Sequence, residues 1–270
     1  GKTARHIVEH QPRPQTALTV LLYDVSSSME GSKHRAAFEA ALLEVSAGES
    51  APTHFIVGAF SHDVFFPSRV PMDGHTAREA MRQLPPPSGG TALYRAVVEA
   101  GAIVERVLDE HPQQYDPRLA VIKVLTDGED TVADGNEGSA RRAVERLHAR
   151  GCVVSLLQAG TDTTAATTLG VPEAAALYWT DDSQTLSAAC LAACDATAQY
   201  RRSVSFASSA GTVTPAISFG YTPMHRQQSM APRRSDPPPP SPFLQQPSLQ
   251  PSQPVPLALN RSQTFSDERF

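Results

Sequence analysis

Residues 17–28 read ALTVLLYDVSSS, and the break at Asp24 decides the fold. An unbroken apolar run such as residues 17–23 is what a strand covered on both faces requires, because no position in it faces water. A carboxylate and three hydroxyls follow at once. In an open α/β sheet, ligands bind beyond the carboxyl ends of the strands, where the strand order reverses. Working outward, residues 54–60 (HFIVGAF), 119–125 (LAVIKVL), 152–158 (CVVSLLQ) and 176–180 read as further strands. Residues 63–66 follow the second strand so closely that they can only return as an antiparallel neighbour. Helical spacing runs through residues 33–45, carried by Ala37, Ala40, Ala41 and Val45. Further helices are predicted over residues 76–84, ended by Pro85-Pro86-Pro87, and over 92–108, 139–150 and 182–202, with Asp182 or Ser183 as the last N-cap. This order predicts an α/β domain with a doubly wound, mostly parallel sheet, one antiparallel edge strand and helices on both faces. The domain spans residues 16–202, after a lead segment of residues 1–15.

Composition sets residues 203–270 apart from this body. They hold 12 of the 23 prolines, with 12 Ser and 7 Gln, a composition that buries too little apolar surface to offset chain entropy. A disordered tail is the expectation there. The 270-residue chain carries a formal net charge of −5, of which the tail supplies +2 and the body −7. An acidic body offers no electrostatic footprint for nucleic acid. No apolar run reaches membrane-spanning length. No signal peptide is visible, and three cysteines make no disulfide framework, so a reducing, cytoplasmic setting is expected. The cysteines show no CxxC or Cys/His ligand spacing, which argues against structural zinc.

The polar residues after the strands form one candidate site. Asp24-x-Ser26-x-Ser28 follows the first strand, and Thr126-Asp127-Gly128 follows LAVIKVL. Gly89-Gly90-Thr91 heads the long helix between them, its glycines letting the backbone turn and approach closely. Asp24, Ser26, Ser28, Thr91 and Asp127 offer only hard oxygens with few formal charges, a set suited to Mg²⁺, with Mn²⁺ or Ca²⁺ as alternatives. Alternation along a roughly extended loop would aim Asp24, Ser26 and Ser28 at one point. Asp24 and Asp127 are expected at exposed strand ends.

DVSSS, SGGTALY and VLTDGEDT, in that order and at these separations, resemble the metal-ion-dependent adhesion site (MIDAS) of von Willebrand factor type A (VWA) domains. The resemblance covers residues 16–202 and implies a Rossmann-like VWA fold. It further implies that Ser26 and Ser28 ligate the metal through their hydroxyls, and Thr91 directly or through water. Asp24 and Asp127 would hold coordinated waters and accept hydrogen bonds from the serines, and the sixth position would be left to a carboxylate of a partner protein. The implied function is a non-enzymatic, metal-dependent protein-binding module.

Two other functions use the same chain. A metal-dependent hydrolase or phosphatase would place its chemistry on Asp24 and Asp127. However, the sequence lacks Gly-x-Ser-x-Gly, Ser-x-x-Lys, Walker and Gly-x-Gly-x-x-Gly signatures, the motif loops hold neither Arg nor His, and Lys33 is the nearest cation. A scaffold would bind through the tail instead. There, residues 234–240 fit Arg-x-x-Pro-x-x-Pro, a polyproline II pattern for SH3-type grooves. Ser205, Ser229 and Thr264 each follow an Arg at three residues' distance, as basophilic kinase sites do, which would recruit phosphopeptide-binding proteins. Asp267 and Glu268, beside Thr264 and Ser266, are candidates for an internal carboxylate ligand of the metal site.

Overall fold

A computed structural model describes residues 16–48, 52–128, 130–132, 136–160, 163–179 and 183–210, excluding the side chains of residues 47, 48, 183 and 205–210. The chain runs β1 (Thr16–Asp24), α1 (Ser32–Gly48), β2 (Thr53–Phe60), β3 (Val64–Phe65), α2 (Gly74–Met81) and α3 (Leu93–Glu110). It continues through β4 (Tyr115–Thr126), α4 (Glu137–Ala149), β5 (Val153–Ala159), α5 (Thr164–Leu169), β6 (Ala176–Trp179) and α6 (Ser183–Ala210). The sheet order is β3-β2-β1-β4-β5-β6, with every pairing parallel except β2 with β3 at the edge. The predicted architecture is the observed one.

Alternation along β1 builds two cores. Leu18, Val20 and Leu22 point to a face covered by α3, α4 and α5, while Leu21 and Tyr23 point to a face covered by α1, α2 and α6. Helix α3 packs through a stripe that includes Leu93, Val97, Ala100, Val104 and Leu108, at the three- and four-residue spacing of one helical face. It lies close to α4 at Gly101, where a Cβ would stand 3.3 Å from the Ala143 Cβ. Because β1 sits between β2 and β4, the chain winds outward in opposite directions from it, and the switch point opens between the carboxyl ends of β1 and β4.

Four details differ from the sequence reading. β4 begins at Tyr115 rather than residue 119, because Tyr115 pairs with Thr16 ahead of a register shift, and pairing resumes at Leu18 with Ala120. Helix α5 has no counterpart in that reading, since its TAATTL sequence has no apolar period; its stop signal is Gly170, left-handed at φ 70°. The segment after Asp24 is not extended but makes a 3-10 turn over Ser27–Met29. Finally, α6 runs to Ala210, past the boundary at residue 202, because its inward spacing continues to Val204, 1% exposed, which packs on Ala17 and Leu119. The remaining tail expectations, at Ser229, Thr264, Ser266, Asp267, Glu268 and residues 234–240, fall outside the described residues, as does the Ser205 side chain.

Candidate metal centre

Asp24 ends β1 and is 1% exposed, and the Asp127 side chain is buried too, so the expectation of exposed strand ends is corrected for both carboxylates. Asp24 Oδ1 accepts the Ser26 N–H at 2.7 Å and its Oδ2 accepts the Thr126 hydroxyl at 2.6 Å. Such bonds are obligatory for a carboxylate taken from water. Burial pushes the Asp24 carboxyl above its ordinary value, the bonds from Ser26 and Thr126 pull it down, and the nearby Asp127 charge adds to the rise.

The turn at Ser27–Met29 brings the two serines together. In an extended segment, side chains two residues apart stand about 6.6 Å from each other. Here Ser26 is extended (φ −66°, ψ 164°), the chain then turns, and the Ser26 and Ser28 Oγ atoms lie 3.0 Å apart. Ser28 Oγ donates to Asp127 Oδ1 at 2.7 Å. Lys33, in the first turn of α1, donates to Asp127 Oδ2 at 2.8 Å. Asp24, Ser26, Ser28 and Asp127 thus form one hydrogen-bonded group across the switch point.

Thr91 reaches the neighbourhood by a different route, and among the described contacts no hydrogen bond joins its hydroxyl to the other four residues. Its loop is laced to the first one: Ser88 N–H donates to the Val25 carbonyl at 2.7 Å, and the Ser27 N–H and hydroxyl donate to the Gly89 carbonyl at 3.1 and 3.0 Å. On the other side, Thr91 N–H donates to Thr131 Oγ1 at 2.8 Å, and the Thr91 carbonyl accepts the Thr131 N–H at 2.9 Å. Gly90 permits this approach, since a Cβ there would meet Thr131 Oγ1 at 2.9 Å, while Gly89 adopts φ 74°.

Several contributors escape the sequence reading. Thr126 is the buried donor to Asp24, and Thr131 fixes the Thr91 loop. Asp130 accepts the Tyr94 N–H at 2.8 Å and the Val132 N–H at 3.0 Å, tying the first turn of α3 to the loop after β4. Thr126 alone carries a signal, as a hydroxyl closing an apolar strand beside the strand that ends in Asp24.

This donor set fits a small hard cation. Two hydroxyl oxygens 3.0 Å apart match the edge of an octahedron whose metal–oxygen bonds are about 2.1 Å, which is about 3.0 Å. Both carboxylates are engaged by protein donors, as residues that orient waters and hydroxyls are. Among the described residues no three His, Cys, Asp or Glu side chains cluster as metal ligands.

The sequence matches the family of VWA domain containing CoxE-like proteins over residues 1–177. No curated protein matches it by sequence. Among solved structures, the fold is similar to the vWF domain of the type V pili tip protein Mfa5 from Porphyromonas gingivalis, at 12% identity over 70% of this chain and 95% of that one, TM-score 0.54. It is similar to the SpRpn10 VWA domain, at 13% identity over 66% and 94%, TM-score 0.51. It is also similar to proximal thread matrix protein 1 of the mussel byssus, at 17% identity over 67% and 48%, TM-score 0.53, and so spans about half the length of that protein. A structure of the byssus protein has a zinc-occupied MIDAS motif. At these identities the likeness is one of fold. Among the described residues, no helix is long and apolar enough to cross a membrane.

Proposed function

Because this chain belongs to the family of VWA domain containing CoxE-like proteins, we propose that its folded domain is a non-enzymatic protein-binding module that works through a divalent metal ion. Ser26 and Ser28 hold the ion through their hydroxyls, Thr91 completes the protein side, and Asp24 and Asp127 hold its waters. The partner is a protein that offers an Asp or Glu carboxylate. Mg²⁺ is the ion this set suits, with Mn²⁺ or Ca²⁺ able to replace it. The ion would supply a positive charge that neutral hydroxyls leave under-compensated, so an incoming carboxylate gains a strong charge-assisted contact.

The observation that carries this reading is the Ser26–Ser28–Asp127 chain at 3.0 and 2.7 Å, which assembles residues from two strand ends around one point. The zinc-occupied MIDAS of the byssus protein supports a divalent ion. The non-enzymatic reading is supported by Asp24, whose two oxygens are both taken by protein donors, leaving the strand-end carboxylate poorly placed as a nucleophile. Titration of the full chain with Mn²⁺, followed by electron paramagnetic resonance, tests the assignment. Wild type should bind, and Ser28→Ala and Asp127→Ala should weaken binding by at least one order of magnitude. Variants that bind as wild type does would overturn the site, and turnover of a generic phosphoester with Mg²⁺ would overturn the non-enzymatic reading.

A further inference from the structure

The Asp127 carboxylate has two unlike partners. Its Oδ1 takes the hydroxyl proton of Ser28 at 2.7 Å, and its Oδ2 takes a proton of the Lys33 ammonium at 2.8 Å. The Asp127 side chain is 1% exposed and that of Lys33 is 22% exposed, so the ammonium reaches in from the rim while the carboxylate is enclosed. The same carboxylate therefore bridges a fixed protein cation and one of the hydroxyls assigned to metal ligation. Asp24 lies on the other side of that hydroxyl pair, through Ser26. Among the described contacts, Lys33 sets one positive charge beside these two acids.

We propose that Lys33 sets the ligand preference of this centre: it weakens the hold on the divalent ion and strengthens the hold of the loaded centre on an anionic ligand. The inference rests on the metal-site reading proposed for these residues. With Lys33 in place, a loaded centre is one unit more positive and attracts a carboxylate more strongly. Without it the ion is held more tightly, and the attraction for an anion falls. Lys33 also keeps Asp127 Oδ2 engaged, which favours Asp127 as a holder of water over a direct ligand and leaves the ion short of negative charge. Lys33 is thus a positioning and specificity-determining residue rather than a ligand. A residue that merely anchored α1 to β4 would shift metal and anion affinity together or not at all. Charge compensation shifts them in opposite directions, by on the order of tenfold each for a unit charge a few ångströms away in a partly solvated site.

The test uses the full chain, Mn²⁺ as the ion and acetate as the anionic probe. Mn²⁺ affinity is read by electron paramagnetic resonance. Acetate binding is read as the fall in water-proton relaxivity when a carboxylate displaces water from protein-bound Mn²⁺. In Lys33→Met and Lys33→Gln, Mn²⁺ should bind about tenfold more tightly and acetate about tenfold more weakly, while Lys33→Arg stays close to wild type. Thermal melts without metal verify that each variant is folded. Unchanged affinities, or affinities that move in the same direction in the folded variants, overturn the role of Lys33 while leaving the metal site standing. Wild-type protein that binds no Mn²⁺ overturns both.

Discussion

Two lysine–carboxylate pairs tie β4 and its exit to α1, four residues apart along the strand and with opposite polarity. In the core, the lysine is on the strand and the acid on the helix: Lys123 Nζ lies 2.6 Å from Glu44 Oε1, with the side chains 6% and 14% exposed. At the switch point the lysine is on the helix and the acid follows the strand, as Lys33 and Asp127. The core pair sits among Tyr23, Ala40, Cys190 and Ala193, where a cavity of about 20 Å³ remains. There, among the described contacts, Lys123 finds only the Ala193 carbonyl besides Glu44, at a long 3.4 Å. The switch-point pair is surrounded by hydroxyls and a second carboxylate. An enclosed pair in apolar surroundings fixes the position of α1 against the sheet. A pair at the edge of a polar cluster instead adds its positive charge to that cluster.

The largest effect that tests this contrast is on folding stability. Lys123→Met leaves Glu44 as an uncompensated buried charge and should cost about 3–5 kcal/mol. The double variant Lys123→Met/Glu44→Leu should recover most of that loss, since apolar replacements of a buried pair are often neutral. Lys33→Met removes a 22% exposed ammonium and leaves the enclosed Asp127 carboxylate with the Ser28 hydroxyl as a donor, so it should cost less, about 1–3 kcal/mol. Urea denaturation of the metal-free proteins measures all three, and equal losses for the two lysine variants would erase the distinction.

That contrast also marks where the sequence is readable. The strands show themselves because each is an apolar run closed by polar residues, and four of the site's five residues lie where those runs end, while Thr91 lies just before α3. Contacts between segments leave no local trace. Nothing around Lys33 announces Asp127, and nothing in LAVIKVL says that Lys123 will meet Glu44; both pairings depend on how α1 lies across the sheet. The serine loop departs from its expected shape for a related reason. Period-two alternation describes an extended chain, whereas the turn at Ser27–Met29 is held by Gly89 from a distant loop. Asp24 is expected in water because strand ends usually are, but the Thr126 hydroxyl and the Ser26 amide provide the bonds that allow its burial.

Thr126→Val tests the last of these at intermediate size. It leaves one oxygen of a buried carboxylate without its donor and should cost about 1–3 kcal/mol. Because Asp24 also orients Ser26, Mn²⁺ affinity should fall in the same variant. Lys123→Met/Glu44→Leu should leave metal affinity unchanged, since among the described contacts the core pair touches none of the site residues. Loss of Mn²⁺ binding in that double variant would mean that the two regions are coupled through α1.

The smallest effect concerns the thiols that report on the core pair. Cys190 and Cys194 are pushed up to about 12, chiefly by burial, with Glu44 contributing to the rise of both and Lys123 opposing it. Cys152, in the other core, is pushed to about 12 by burial without any contribution from Glu44. An elevated thiol value favours the protonated form in the folded state. Its stabilisation is therefore complete below the ordinary value of 9.0 and is lost as pH rises from there toward about 12. At about pH 9 the loss amounts to less than about 1 kcal/mol per thiol, too little to unfold the protein, while the scarcity of thiolate slows any chemistry that needs it. Alkylation by iodoacetamide at about pH 8.5, resolved by mass spectrometry, should be slow at all three positions in wild type. In Glu44→Gln, removal of the negative charge should speed Cys190 and Cys194 several-fold while Cys152 keeps its wild-type rate. Acceleration of all three together would indicate global opening instead. Unchanged rates at Cys190 and Cys194 would show that solvent already screens the Glu44 charge, and so that the Lys123–Glu44 pair is less enclosed than its contrast with Lys33 and Asp127 requires.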